Sequence, residues 1–261
     1  MPEGDTIHRL AHRLSAELPG EEVTYAWNRD GGELSRLVGE HVGEIEARGK
    51  NLLIEVSGGW MFRIHLGIGG RCRCRDRDDA PPPVRWATLV LDTEAHRTVV
   101  WKTSRAELMR TAHVRAARGL RHLGPDLLDD DCDLGEVMRR ARAAGNRGRA
   151  VGELLQDQRI AAGIGNVIRC EALFLAGVDP WQPTRDLDDA RLRACFDHAR
   201  AILQRSVAVG RRDTTSEMGE RYFAYGRTGR PCLRCGTRIR QVRQGDLARV
   251  THHCPTCQRR R

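Results

Sequence analysis

Four cysteines near the end of the chain constrain its folding more than any other feature. They form two close pairs, Cys232-x-x-Cys235 and Cys254-x-x-Cys257, with eighteen residues between the pairs. Two pairs at this spacing place four sulfurs around one Zn2+ at about 2.3 Å, and four protein ligands leave no open position, so the metal is structural. The intervening residues read as a β-hairpin, with strands over Gly236–Arg240 and Leu247–His252 and a turn near Gly245-Asp246. A module this short cannot bury enough apolar surface to fold alone, and metal binding supplies the difference. The other five cysteines, Cys72, Cys74, Cys132, Cys170 and Cys195, lack a matching second pair and read as ordinary buried or strand residues.

Charge is concentrated in the same region. Residues Ala201 to Arg261 contain 14 arginines against Asp213, Glu217, Glu220 and Asp246, so the net charge of +9 belongs to this tail. Arginine's planar fork suits phosphate oxygens, and the distribution fits a phosphate-binding surface. A zinc ribbon that binds protein, or a solvated basic tail, is the plainer alternative. Lysine is almost absent: Lys50 and Lys102 stand against 42 arginines.

The start of the chain has no basic segment followed by an apolar stretch, and no run of about 18 apolar residues occurs. The expectation is a soluble, cytoplasmic protein with reduced thiols, making no contact with a membrane. Ile7, Leu10, Ala11 and Leu14 recur at helical spacing, so a first helix is predicted, capped by Asp5 or Thr6 and ended by Pro19-Gly20. Short strand-like segments follow at Val23–Trp27, Val42–Arg48, Leu52–Val56, Trp60–Leu66, Trp86–Leu91 and Thr98–Trp101. Strands at this spacing point to a β-sandwich. Arg71–Pro83, with its alternating charges and prolines, reads as an exposed loop. Helical periodicity then appears over Leu108–Arg118, Leu134–Ala144, Gly152–Gln158, Val167–Ala176 and Leu187–Val209.

Two short segments carry chemistry. Pro2 follows the initiator methionine, and once Met1 is removed it is a secondary α-amine next to the carboxylate of Glu3. An α-amine has a pKa near 7.7–8.0 and is a ready nucleophile; the plainer reading is a frayed terminus. Farther on, Gly163-Ile164-Gly165-Asn166 precedes a helix, where exposed backbone N–H groups make an anion cradle. Asn166 is placed to cap the helix and to bond a phosphate.

Taken together, Met1-Pro2-Glu3-Gly4-Asp5, Arg48-Gly49-Lys50, the Gln158–Glu171 run and the closing cysteine pairs resemble the formamidopyrimidine-DNA glycosylase and endonuclease VIII family over the whole chain. Pro-Glu-Gly-Asp looks most like the endonuclease VIII branch. The resemblance implies an α+β multidomain fold: an N-terminal β-sandwich preceded by a helix (1–115), a helix-two-turns-helix domain (116–218) and a zinc-finger β-hairpin (222–261). It further implies a monomer that binds double-stranded DNA containing a damaged base or abasic site in a cleft between the main parts, at the bacterial nucleoid. By the same resemblance Pro2 is the Schiff-base nucleophile of a glycosylase and AP lyase, Glu3 a proton donor, and Lys50 a proton donor beside the scissile phosphates. Asn166 and Arg249 match phosphate-contacting positions. The loop His65–Gly70 departs from the family pattern, with glycines where bulkier side chains are expected, so Ile68 alone is left to wedge the base stack. Two alternatives are a non-catalytic protein that binds damaged DNA or abasic sites, and a zinc-ribbon regulator that reads duplex DNA.

Overall fold

A computed structural model of the chain describes residues 2–79, 85–114, 117, 119–216 and 219–260. The chain divides into two compact units, Met1–Arg121 and His122–Arg261.

The first unit opens with helix α1 (Gly4–Glu17), whose buried face carries Ile7, Leu10, Ala11 and Leu14 as its periodicity requires. Nine strands follow among the described residues: β1 (Val23–Asn28), β2 (Gly32–Glu33), β3 (Val42–Arg48), β4 (Asn51–Val56), β5 (Trp60–His65), β6 (Arg71–Asp76), β7 (Ala87–Thr93), β8 (His96–Trp101) and β9 (Arg105–Arg110). They pair into a four-stranded sheet, β3-β4-β5-β9, and a five-stranded sheet, β2-β1-β7-β8-β6, every pairing antiparallel. The two sheets form the predicted β-sandwich. Its core holds Leu52, Ile54, Phe62 and Ile64 from one sheet, Val23, Leu89, Leu91 and Val100 from the other, and the buried face of α1, which packs on β3 and β4.

Two segments differ from expectation. Arg71–Asp76 is not a loop but the edge strand β6, paired to β8. Arg71, Arg73 and Arg75 face solvent while Cys72 and Cys74 turn in against the core, so the alternation Arg-Cys-Arg-Cys is a strand with an unusual apolar partner. The row of arginines also protects an edge that would otherwise pair with another chain. Pro81-Pro82-Pro83 lie outside the described residues. Leu108–Arg118, expected to be helical, begins instead inside β9, where Ala106 and Leu108 stand opposite Ile64 and Phe62. Of the described residues there, only Thr111–Val114, helix α2, are helical; cross-strand pairing outweighs local propensity.

The second unit contains α3 (Leu134–Ala141), α4 (Val151–Leu154), α5 (Asn166–Leu175), α6 (Asp189–Val209) and the hairpin β10 (Arg240–Gln244) with β11 (Arg249–His253). Asp133 and Asp188 cap α3 and α6 by accepting the N–H of Glu136 and Arg191, at 2.9 and 2.7 Å. Heptad-like spacing predicts a core-facing stripe of Leu192, Phe196, Ala199, Leu203 and Val207 on α6; the first four are buried and α6 packs on α5, while Val207 is only half-buried. α4 is shorter than the expected 152–158 helix. The hairpin turn falls at Gly245 as expected, but its first strand lies at Arg240–Gln244 and not at Gly236–Arg240. Cys232 and Thr237 fix the earlier residues instead: the Cys232 N–H donates to the Thr237 carbonyl, and the Gly236 N–H to that of Cys232. Among the described residues no helix is long and apolar enough to cross a membrane.

Phe62 is fully buried between the sheets. Phe62→Ala is expected to cost about 3–5 kcal/mol of stability, read by urea denaturation, with zinc content unchanged.

Candidate active site and zinc module

Pro2 lies two residues before the first turn of α1. Glu3 is extended (φ −130°, ψ −174°), and its carbonyl starts the helix by accepting the N–H groups of Thr6 and Ile7 at 3.0 and 3.2 Å. Neither Asp5 nor Thr6 caps the helix, since both lie inside it and the cap residue is Glu3, whose side chain makes no capping bond. Asp5 is buried and pairs with Arg9 at 3.3 Å, within the first turns. Glu3 is only 1% exposed, so a carboxylate is held out of bulk water beside Pro2. Pro2 itself lines a cavity of about 340 Å³, with Arg9 and Arg13 of α1 on one side and Arg71 and Arg73 of β6 on the other. Four guanidinium groups around this opening suit a phosphodiester.

Lys50 occupies the β3–β4 turn, which Gly49 forms at φ +61°. Asn51 braces the turn, donating to the Arg48 carbonyl at 3.1 Å and accepting from Arg63 Nε at 3.1 Å. The charge on Lys50 is felt by His65 at the end of β5: burial first, then Lys50, Arg63 and Arg105, push the imidazole below its ordinary value. His65 is thus uncharged at neutral pH. Its carbonyl accepts the N–H and hydroxyl of Ser104 at 3.2 and 2.9 Å, joining the β5–β6 loop to the β8–β9 turn. Sequence reasoning missed His65; its place at the head of the glycine loop was the available signal.

The same loop presents Ile68 to solvent at 70% exposure. Its glycines are demanded by the backbone: Gly67 and Gly69 have φ of +65° and +82°, and a Cβ at Gly70 would lie 2.1 Å from the Leu66 carbonyl oxygen.

In the second unit Gly165 is the N-cap of α5, and Asn166 is its first helical residue, so Asn166 does not cap. Its side chain turns to the hairpin instead. Nδ2 donates to the Val250 carbonyl at 2.8 Å, while Oδ1 accepts from Gln156 at 3.1 Å and Arg169 at 2.6 Å. Asn166 and Arg249 are therefore brought to one place, since Arg249 precedes Val250 on β11. Of the two loop glycines, Gly163 sits at φ +97° and donates its N–H to Gln158 at 3.2 Å.

Two charged residues of α5 escaped sequence reasoning. Arg169 is fully buried and donates to Asn166, to Thr251 at 2.6 Å and to Gln244 at 3.3 Å, fastening the hairpin to the helix. Glu171, also buried, accepts the backbone N–H groups of Phe223, Ala224 and Tyr225, each at 2.8 Å, and the hydroxyl of Thr214. Two charges on an otherwise apolar stretch, Val167 to Leu173, were the signal that something buried must answer them.

The four cysteine sulfurs of the tail lie within 4.8 Å of one another. Cys232 and Cys257 Sγ are 3.8 Å apart, and Cys235 and Cys254 Sγ 3.5 Å. A tetrahedron with Zn–S of about 2.3 Å has an edge of about 3.8 Å, so the sulfurs fit zinc. The N–H groups of Arg234 and Cys257 donate to the sulfurs of Cys232 and Cys254, both at 3.4 Å, as thiolates require. The chain's cofactor is one structural zinc ion.

Comparison with known proteins agrees with this arrangement. The formamidopyrimidine-DNA glycosylase N-terminal domain matches residues 1–109, and the H2TH domain of the same glycosylase matches 123–218. A probable endonuclease 8 2 of Streptomyces coelicolor is 38% identical, over 99% of this chain and 94% of the relative. Endonuclease 8 of Escherichia coli is 31% identical over 99% of this chain and its own full length. Among solved structures, formamidopyrimidine-DNA glycosylase of Lactococcus lactis, crystallised with DNA containing an oxidised pyrimidine, superposes with a TM-score of 0.84 at 24% identity, covering 99% and 100% of the two chains. The chain belongs to the formamidopyrimidine-DNA glycosylase and endonuclease VIII family.

Three measurements follow from the second unit. Cys254→Ser is expected to abolish stoichiometric zinc, read by metal analysis of the purified protein. Glu171→Gln presents an amide NH2 to groups that themselves donate, and is expected to cost about 1–3 kcal/mol, read by urea denaturation together with zinc release to a chelator. Asp157 supplies a pH dependence. Burial pushes its pKa up, but hydrogen bonds from Arg159 and Arg149 outweigh this and bring it to about 2, against about 3.9 in an unfolded chain. Its contribution to stability is therefore complete above about pH 4 and lost as pH falls toward about 2. Asp157→Asn is expected to flatten the stability profile in that window.

Proposed function

We propose that the protein is a bifunctional DNA glycosylase and AP lyase of base excision repair. In this reading it removes oxidised bases, chiefly pyrimidines, and cleaves the strand by β,δ-elimination. The observation that carries it is the placement of Pro2: at the foot of α1, beside the buried Glu3, opening into a cavity walled by four arginines.

Once Met1 is removed, the Pro2 nitrogen attacks C1′ of the damaged nucleotide and displaces the base. The proton that the attacking amine sheds passes through the Glu3 carboxylate to the ring oxygen as the deoxyribose opens, and the nitrogen becomes an iminium. This electron sink acidifies the C2′ proton, and its removal expels the 3′ phosphate; a second elimination expels the 5′ phosphate. Positive potential from the surrounding arginines and the N-terminus of α1 steadies the departing phosphates. Lys50 stands beside the scissile phosphates as contact and proton donor. Arg249 and the remaining N–H of the Asn166 amide hold the phosphates of double-stranded DNA around a damaged base or abasic site, while Ile68 enters the stack; the Gly163–Gly165 turn sets the start of α5, its Gly163 N–H being already given to Gln158. The nucleotide is everted at a cost of a few kcal/mol, which damage or mispairing lowers.

Residues 1–115 thus form the catalytic domain, 116–218 the helix-two-turns-helix domain and 222–261 the zinc finger. The protein acts as a monomer in the cytoplasm, on nucleoid DNA.

An N-terminal extension that locks Pro2 into a peptide bond is expected to abolish borohydride trapping on an abasic-site duplex while leaving affinity within about threefold, since phosphate contacts dominate binding. A trapped adduct on any other residue would remove Pro2 as nucleophile. Arg249→Ala is expected to lower the slope of log K against log salt by about 0.9, the value for one phosphate contact.

A further inference from the structure

Trp86 and Lys102 take no part in the chemistry above, yet both are held in the left-handed backbone region, at φ +70° and +51°. A bulky aromatic residue adopts that conformation only where its surroundings impose it. The Arg29 guanidinium braces this turn, donating to the carbonyls of Trp86 and Ala87 at 3.1 and 2.9 Å. The result is an indole held 66% exposed. Lys102, one of two lysines in the chain, follows Trp101 at the end of β8.

These residues meet in one hollow of about 450 Å³, lined by Trp86, Trp101, Lys102, Arg85, Arg71 and Arg73 together with Gly69. It offers two indoles and four cations, with no carboxylate among the described residues that line it. The Arg85 guanidinium lies 5.2 Å from the centre of a Trp86 ring. Because β6 alternates, Arg71 and Arg73 both point outward, and the same two arginines wall the Pro2 cavity. The hollow and the cavity therefore share a side.

Aromatic faces interleaved with arginines bind unstacked bases and their phosphates, the pattern of single-stranded nucleic-acid sites. A fully paired duplex offers phosphates to the cations but no free base to the indoles. We infer that the hollow is a second nucleic-acid subsite, holding an unstacked nucleobase and its phosphate from a single-stranded stretch of the DNA whose damaged nucleotide enters the Pro2 cavity. The last part rests on the function proposed above; the subsite itself does not.

The test measures, at one salt concentration, anisotropy binding of a short lesion-free oligothymidylate to the intact zinc-loaded protein, Trp86→Ala and Trp86→Phe. Borohydride trapping on a fully paired abasic-site duplex is run beside it. Trp86→Ala is expected to weaken single-strand binding about tenfold, the loss of one stacked base. Trp86→Phe should restore most of it, and duplex trapping should stay within about twofold. Equal binding of the oligothymidylate by all three proteins would overturn the subsite, as would a loss shared equally by single strand and duplex. Absence of trapping in the wild type, with the Trp86 effect intact, would sink the Pro2 mechanism and leave the subsite standing.

Discussion

The zinc module hangs on two buried charges of α5. Glu171 gathers three consecutive backbone N–H groups, Phe223 to Tyr225, and Arg169 gathers Thr251 and Gln244 on the two strands of the hairpin. A buried ion left without partners is costly, and removing one partner from such a group costs several kcal/mol. The charges therefore forbid arrangements in which the module lies elsewhere on the second unit. Phe174 completes the attachment, stacking on Phe223 at 5.1 Å and lying under the Arg234 guanidinium at 4.6 Å. Zinc shapes the knuckles; α5 decides where they stand.

That placement bears directly on function. Asn166 opens the helix that carries Arg169 and Glu171, and its amide reaches the Val250 carbonyl next to Arg249. The helix start and the tip of the hairpin are thereby set as one surface. In the first unit the sandwich plays the corresponding part. Helix α1 packs on β3 and β4, and its N-terminal end delivers Pro2 to the rim of β6. A chain terminus is ordinarily the least fixed part of a protein. Here the buried Glu3 and Asp5, one on each side of Gly4, anchor it.

Much of the site was legible because its chemistry needs particular residues at particular spacings. The cysteine pairs announced a four-thiolate site by their spacing alone, since nothing else explains two such pairs in one short module. Pro2 beside Glu3 and the Gly163–Asn166 turn were singled out by their residue types, whereas Lys50 was singled out only by the family resemblance of Arg48-Gly49-Lys50. Strand β6 was not legible, because its inward residues are cysteines and its outward ones arginines, so charge masked a period of two. β9 was mistaken for the start of a helix because Ala106, Leu108 and Met109 suit either period until β5 supplies a partner.

The sequence by itself determined the β-sandwich, the helical unit, the zinc ligands and the candidate nucleophile, all of which depend on local periodicity or on ligand spacing. Tertiary structure alone decided that Arg71 and Arg73 face both the Pro2 cavity and the Trp86 hollow, that His65 lies under the charge of Lys50, and that Asn166 spends its amide on the hairpin. These are meetings of residues far apart in the chain. Burial and hydrogen-bond satisfaction across packed elements select them, and no local pattern encodes such terms.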